Sequence, residues 1–443
     1  MPPLQPLPAP PAAAAPPPPP DPQETLHRLR AGALRGATRL DLRGCGLTAV
    51  PPEVFTLADT LQVLDLSGNA LAHLPDALAG LHRMQVLFAS DNPFTTLPAV
   101  LGRCPALQLI GFKACRLHTV PATSLPPTLR WLILTDNQIA ELPDSLGGCA
   151  PLQKLMLAGN RLRQWPAAIA RCQRLELVRL AANQFETAAD ALPAALLALP
   201  RLAWLAHGGN PFSQALEQQA ALGAAAPAIA WQQLQLQGLL GEGASGVIHA
   251  ALWQPGSGPA QAVAVKLFKG RITSDGLPTT ELAASMAAGD HPHLVGVLGR
   301  LQGHPAGTAG LVLRRIPAGH RNLAAPPSLA SCSRDVYAPG LQLGAGAALA
   351  IARGMQAALA HLHHQGLAHG DLYAHNILVD GAGQALLGDF GAASFLPVHD
   401  AARRAALQRI DRRALAVLLA ELAAHSGDAA ARQALQAEAD TLD

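Results

Sequence analysis

Lysine and asparagine are scarce in this sequence: four and eight residues in 443. Neither sign of charge dominates. Thirty-two Lys and Arg against thirty Asp and Glu give a net charge of +2 with no basic block, which argues against nucleic acid or an acidic membrane surface as the main partner. No uninterrupted apolar run approaches the roughly 18 residues of a membrane-spanning helix. The start, MPPLQPLPAPPAAAAPPPPPDP, has neither a charged n-region nor an apolar core, so a secretory signal is not expected. Six cysteines with no CxxC pair make neither a disulfide scaffold nor a zinc site. A cytoplasmic location is therefore expected, with export by a signal-independent route left open. In a chain that defaults to Arg, a Lys retained at a chemically apt place is informative, because the two side chains are not interchangeable.

Residues 2–22 are a proline-rich stretch that cannot bury a core, and 1–22 are expected to be a disordered tail of polyproline II character. Leu26, Leu29 and Leu34 among polar neighbours predict a capping helix over 23–36. A repeat follows. ATRLDLRGCGL at Ala37 is echoed by copies starting at Leu61, Met84, Leu107, Leu129, Leu152, Leu175 and Leu202, in steps of 22 to 27 residues. Eight in-phase copies of LxxLxLxx(N/C)xL form the leucine-rich repeat pattern. Each copy is one short strand and a return segment that must stack on its neighbours to bury its leucines.

Six of the eight asparagines fill one slot of the repeat: Asn69, Asn92, Asn137, Asn160, Asn183 and Asn210, with Cys45 and Cys115 replacing Asn in two copies. A ladder of side-chain bonds to loop backbone is expected there. Cys104, Cys149 and Cys172 keep the repeat phase and are expected to pack on the return side. Alternation along the strands points the third, fifth and seventh positions to the concave face. Its middle is apolar, with Phe88, Ile133 and Met156 in the fifth positions and Trp131 beside them. Such a patch suggests either a site for an unknown protein ligand or packing on a neighbouring domain. Residues 213–233 read as a capping helix and linker.

From Leu234 the leucine period stops. Gly241-Glu242-Gly243-Ala244-Ser245-Gly246-Val247 lies between two predicted strands, and Val263-Ala264-Val265-Lys266 ends the second. A lone GxGxxG is weak. Between two strands and followed by VAVK, it fits a phosphate-covering hairpin rather than a dinucleotide turn. Glu281 opens a helical stretch fifteen residues after Lys266, and is the candidate carboxylate partner. HPHLVGVLG and GLVLRRIP follow as turn and strands. HGDLYAHNILV then places an Asn five residues after Asp371, at Asn376, and Asp389-Phe390-Gly391 comes thirteen residues later.

Residues 37–212 thus look like a leucine-rich repeat domain, and residues 234–443 resemble a protein kinase catalytic domain. Together they resemble the bacterial leucine-rich repeat-containing protein kinase family. The resemblance implies an α/β solenoid followed by an α+β bilobal domain, an ATP and Mg²⁺ requirement, and Ser/Thr or dual specificity toward a protein substrate. It implies that Leu240 and the glycine loop cover the phosphates and that Lys266, paired with Glu281, holds them. Asp371 is the implied base, and Asn376 and Asp389 the implied metal ligands. More softly, Leu313 becomes the gatekeeper, the backbones of Arg314 and Ile316 face adenine, and Ala264 and Leu378 enclose it.

Three departures stand out. Gly370 replaces the Arg that normally reads a phosphate on the activation loop, so no loop-phosphate switch is expected. In agreement, Ser394 is the single hydroxyl residue between Ala392 and Asp411. No APE follows DFG, and only twenty residues separate Gly391 from Asp411, which is expected to anchor the catalytic-loop backbone on a buried helix. The late helices of the domain are expected to be abbreviated. Two alternatives therefore stay beside an active protein kinase: a non-catalytic ATP-binding scaffold, and a small-molecule phosphotransferase that shares the HGDxxxxN form.

Overall fold

The computed structural model describes residues 21–223, 227–243, 245–256, 258–270 and 272–442. The expected tail over 1–20 lies outside the described residues. The chain forms two compact units, which divide at residue 203.

The first unit opens with α1 (Pro22–Arg30), capped by Asp21, whose carboxylate accepts from the N–H of Gln23 at 3.0 Å. It is shorter than expected, and turns fill 31–36. Each repeat contributes a three-residue strand: β1 (Arg39–Asp41), β2 (Val63–Asp65), β3 (Val86–Phe88), β4 (Leu109–Gly111), β5 (Trp131–Ile133), β6 (Lys154–Met156), β7 (Leu177–Arg179) and β8 (Trp204–Ala206). Strands β1 to β7 form a parallel sheet in chain order, and β8 belongs to the second unit. The central leucine-type residue of every strand is buried. The return segments begin at Pro51, Pro75, Pro98, Pro121, Pro143 and Pro166. Each proline leads into a 3₁₀ turn, its fixed φ suited to the entry and its carbonyl accepting the N–H three residues on at 3.0–3.2 Å. The last return carries two one-turn helices, α2 (Ala188–Ala191) and α3 (Ala194–Leu197).

The asparagine ladder is present. The Asn160 Oδ1 accepts from Ile139 N at 3.1 Å, and its Nδ2 donates to the carbonyls of Leu134 and Leu157, both at 2.9 Å. Cys115 keeps part of this role, its thiol donating to Ala89 O at 3.5 Å. Cys104, Cys149 and Cys172 are buried on the return side with thiols aimed at backbone carbonyls.

The second unit starts with β8, then α4 (Pro211–Gly223) and β9 (Ala228–Ala230). The stretch read as a linker is thus largely structured: β9 pairs in parallel with the later strand β13 (Val297–Gln302). A six-stranded sheet has the order β10 (Leu234–Glu242), β11 (Gly246–Trp253), β12 (Gln261–Phe268), β14 (Gly310–Arg314), β13, β9. Ile229, Val263, Val265 and Val312 form its core. Helix α5 (Pro278–Ala287) precedes β13 in the chain. Beyond β15 (Arg321–Asn322) comes a helical lobe. It is built on α6 (Ala345–His364), α7 (Ala401–Ala424) and α8 (Ala429–Leu442), with the short strands β16 (Leu367–Ala368), β17 (Ile377–Val379), β18 (Ala385–Leu387) and β19 (Ser394–Phe395). Helix α7 begins ten residues before Asp411, so only residues 392–400 join Gly391 to it.

Candidate active site

A cleft of about 540 Å³ in the second unit is lined by residues from the sheet, α5 and the β17 region. Lys266 reaches it because β12 alternates: Val263 and Val265 face the sheet core, while Ala264 and Lys266 face the cleft. The Lys266 ammonium is ion-paired with Glu281, and both side chains are at most one-tenth exposed. Burial pushes the Glu281 carboxyl up to about 7. Lys266 pulls it down, and the Asp389 charge adds to the rise.

Asp371 is held through its neighbours. The Asn376 Nδ2 donates to both its carbonyl and its Oδ2, at 3.0 and 2.8 Å. The Asp371 N–H donates to His369 Nδ1 at 3.3 Å, so the opposite Nε2 is the protonated nitrogen, 3.1 Å from Gly388 O. The residue before Asp389 is thereby tied to the residues around Asp371. Asp389 itself has φ +56° and accepts from Gly391 N at 3.1 Å. On α7, buried Asp411 accepts from the N–H groups of His369 and Gly370 at 2.8 and 2.9 Å. Burial alone would raise its carboxyl, but the His363 contact at 3.1 Å and the Gly370 N–H hold it below the usual range.

Of the residues expected around a nucleotide, Leu240, Gly241, Ala264, Lys266, Leu313, Arg314, Ile316 and Leu378 line the cleft, as do Glu281, Asn376 and Asp389. Asp371 is adjacent through Asn376 rather than in the lining. Glu242 and Gly246 instead end and begin the strands of the β10–β11 hairpin, with Gly243 and Ser245 in the turn between them. Glu242 pairs with Lys269 across it, and Gly243 N donates to Gly246 O at 2.9 Å. A Cβ at Gly246 would fall 2.6 Å from Leu267 O, so this glycine permits close strand approach. Ala244 lies outside the described residues. Val247 is not among the lining residues, whereas its strand neighbour Ile248 is. Adjacent strand residues face opposite ways, so a placement off by one residue lands on the wrong face.

The sequence reading missed a loop between β15 and α6. Ala325 and Val336 bond each other's backbone, both at 2.9 Å, and the loop delivers Asp335 to the His375 Nδ1 at 2.7 Å and to its N–H at 3.0 Å. Burial would lower the His375 pKa, but the Asp335 bond and charge raise it overall. His375 and Asn322 also line the cleft. No motif spacing marks Asp335, whose partner is 40 residues away.

On the concave face of the first unit, Phe88, Trp131, Ile133 and Met156 are half-buried. The strand register sets Phe88, Gly111, Ile133 and Met156 in one row. Trp131 Nε1 donates to Met156 Sδ at 3.3 Å, and the Lys154 ammonium lies 4.4 Å from the Trp131 ring centre.

Comparison with known proteins agrees with both halves. Residues 234–417 match the family described as protein tyrosine and serine/threonine kinase, and residues 35–94 match leucine rich repeat. Non-receptor tyrosine-protein kinase TNK1 of Homo sapiens and that of Mus musculus are each 32% identical over 161 residues, covering 34% of this chain and 22% of theirs. Plant intracellular Ras-group-related LRR protein 7 of Oryza sativa subsp. japonica is 36% identical over 61 residues, 14% of this chain and 23% of that one. The chain therefore spans less than a quarter of these relatives' length. A solved leucine-rich repeat protein of Leptospira interrogans is 26% identical with a TM-score of 0.37, over 44% of this chain and 54% of that one.

Proposed function

We propose that this chain, which joins a leucine-rich repeat region to a protein kinase domain, transfers the γ-phosphate of ATP to a hydroxyl group of a protein. The observation that carries the reading is the convergence of the Lys266–Glu281 pair, Asn376 and Asp389 on one cleft, with Asp371 bonded to Asn376. Lys266, aimed by Glu281, holds the α- and β-phosphates. Asp371, steadied by Asn376, takes the proton of the acceptor hydroxyl. Leu240, Ala264, Leu313 and Leu378 enclose the adenine, and the backbones of Arg314 and Ile316 read its edge.

Magnesium fits the donors available. Among the described residues no group of three His, Cys, Asp or Glu forms a protein cage. The Asp389 carboxylate and the Asn376 amide oxygen are hard donors of the kind Mg²⁺ accepts beside substrate phosphates and water. When bound, the metal neutralises charge on the transferring phosphates. The acceptor class in this reading is Ser/Thr or dual. The tyrosine kinases among the relatives add Tyr, and phosphoamino-acid analysis separates the three.

The test is label transfer from γ-labelled ATP with Mg²⁺ to a generic protein acceptor, by the full chain and by Lys266→Ala and Asp371→Ala. Transfer by the parent, lowered about 100-fold or more in both variants, is the expected result. A second reading, an ATP-binding scaffold, is favoured by the brevity of residues 392–400, which leave little platform for a protein acceptor. Nucleotide binding without transfer selects it, and transfer only to an added metabolite selects a small-molecule acceptor.

Phe88, Trp131, Ile133 and Met156 are the proposed surface for a protein partner. Phe88→Asp with Ile133→Asp should abolish capture of that partner and leave ATP binding unchanged; capture that survives removes this face from the reading. Cytoplasmic residence belongs to the same reading, supported by six buried cysteines, and fractionation tests it. Among the described residues no helix is long and apolar enough to cross a membrane.

A further inference from the structure

The segment from β8 to α4 touches three parts of the candidate site, each contact falling within a few residues of a catalytic candidate. Trp204, 1% exposed, stacks on Tyr373 with ring centres 4.2 Å apart and planes 8° from parallel. Its Nε1–H donates to Leu372 O, next to Asp371, at 3.0 Å. The Leu205 carbonyl lies 2.6 Å from where a Cβ on Gly370 would sit. His207 N–H donates at 3.1 Å to the hydroxyl of Ser394, five residues after Asp389 and 1% exposed. The Glu217 Oε1 is fixed by Gly209 N at 2.7 Å and Ser213 Oγ at 2.6 Å, while its Oε2 accepts from Thr280 Oγ1 at 3.1 Å. Thr280 immediately precedes Glu281 on α5 and is 3% exposed.

We infer that residues 204–217 are a built-in brace, in which Trp204 and Glu217 are positioning residues that hold Asp371 and Glu281 in their transfer geometry. The inference rests on the kinase reading for its catalytic consequence, but the placement itself can be measured without turnover. A brace made by the chain's own last repeat does the work that a phosphate on the activation segment would otherwise do. Ser394 cannot take that part, because its hydroxyl is buried against His207 N. Nor can Gly370, which has φ +71° and carbonyls of Leu205 and Ala392 where a side chain would begin.

Two variants test it, and the first of them does so with almost no loss of volume. Thr280→Val keeps the shape and removes the hydroxyl, with Thr280→Ser as the rescue. Trp204→Phe keeps an aromatic ring over Tyr373 and removes the bond to Leu372 O. The expected result is a kcat about ten-fold lower in each at unchanged nucleotide affinity, restored by Thr280→Ser. Faster backbone hydrogen exchange should appear over 278–287 in Thr280→Val and over 369–376 in Trp204→Phe. Unchanged exchange in both folded variants overturns the brace, whatever the turnover. If the parent transfers no phosphate while exchange rises in the variants, the kinase reading fails and the brace stands.

Discussion

Asp335 holds His375 twice, through the ring nitrogen Nδ1 at 2.7 Å and the backbone N–H at 3.0 Å, and its side chain is fully buried. His375 precedes Asn376, so this carboxylate fixes the turn that sets both Asn376 and, through it, Asp371. Asp335→Ala removes two charge-assisted bonds from a buried place, and should cost about 2–4 kcal/mol of stability. Phosphate transfer should fall at least about ten-fold in that variant. Denaturant titration and the label assay check the pair; parental values in both would remove Asp335 from the site's support.

Gly370→Arg restores the residue that reads an activation-loop phosphate elsewhere, yet it should not create a switch. The left-handed φ and two carbonyls within 2.7 Å of the first side-chain carbon should cost about 3 kcal/mol or more. A soluble variant with the parental melting temperature would contradict this packing.

In the repeats, Asn160→Ala orphans the buried N–H of Ile139, while the carbonyls of Leu134 and Leu157 keep the amides of Asn137 and Asn183 as donors. A loss of about 1–3 kcal/mol is expected from that one unsatisfied buried donor. Chemical unfolding followed by tryptophan fluorescence reads it, and a change within the scatter of surface substitutions would show that the ladder is not holding the stack.

Glu421 on α7 accepts from the Tyr337 hydroxyl at 2.9 Å, and burial raises its carboxyl from 4.5 to about 7, against the pull of Tyr337. A raised carboxyl stabilises the fold fully below about 4.5. That contribution is lost as pH climbs to about 7, because the buried group must then ionise. Glu421→Gln should therefore match the parent at pH 4 and exceed it at pH 8, by roughly 3 kcal/mol. An equal difference at both pH values would rule out titration of Glu421 as the cause.

Much of the site was legible because its chemistry is written in side-chain identity at fixed spacing. Lys266 and Glu281 are fifteen residues apart, and Asp371 and Asn376 five apart, wherever the rest of the chain goes. Val247 was expected at the cleft where Ile248 sits, because a glycine turn does not reveal which face the next strand residue takes. Residues 228–230 looked like linker because a three-residue strand pairs through its backbone, which carries little sequence signal.

The sequence by itself determined the eight repeats and the order of the candidate phosphate-transfer groups, since both rest on local period and residue type. Only the tertiary structure decided what holds those groups in place. Trp204 finds Leu372 across 168 residues, and His207 finds Ser394 across 187. In these contacts one partner is a main-chain carbonyl or N–H, present at nearly every residue, so no side-chain pattern could announce them. Gly370 marks the boundary between the two: its identity suggested that a function was missing, and its surroundings show that the last repeat occupies the space.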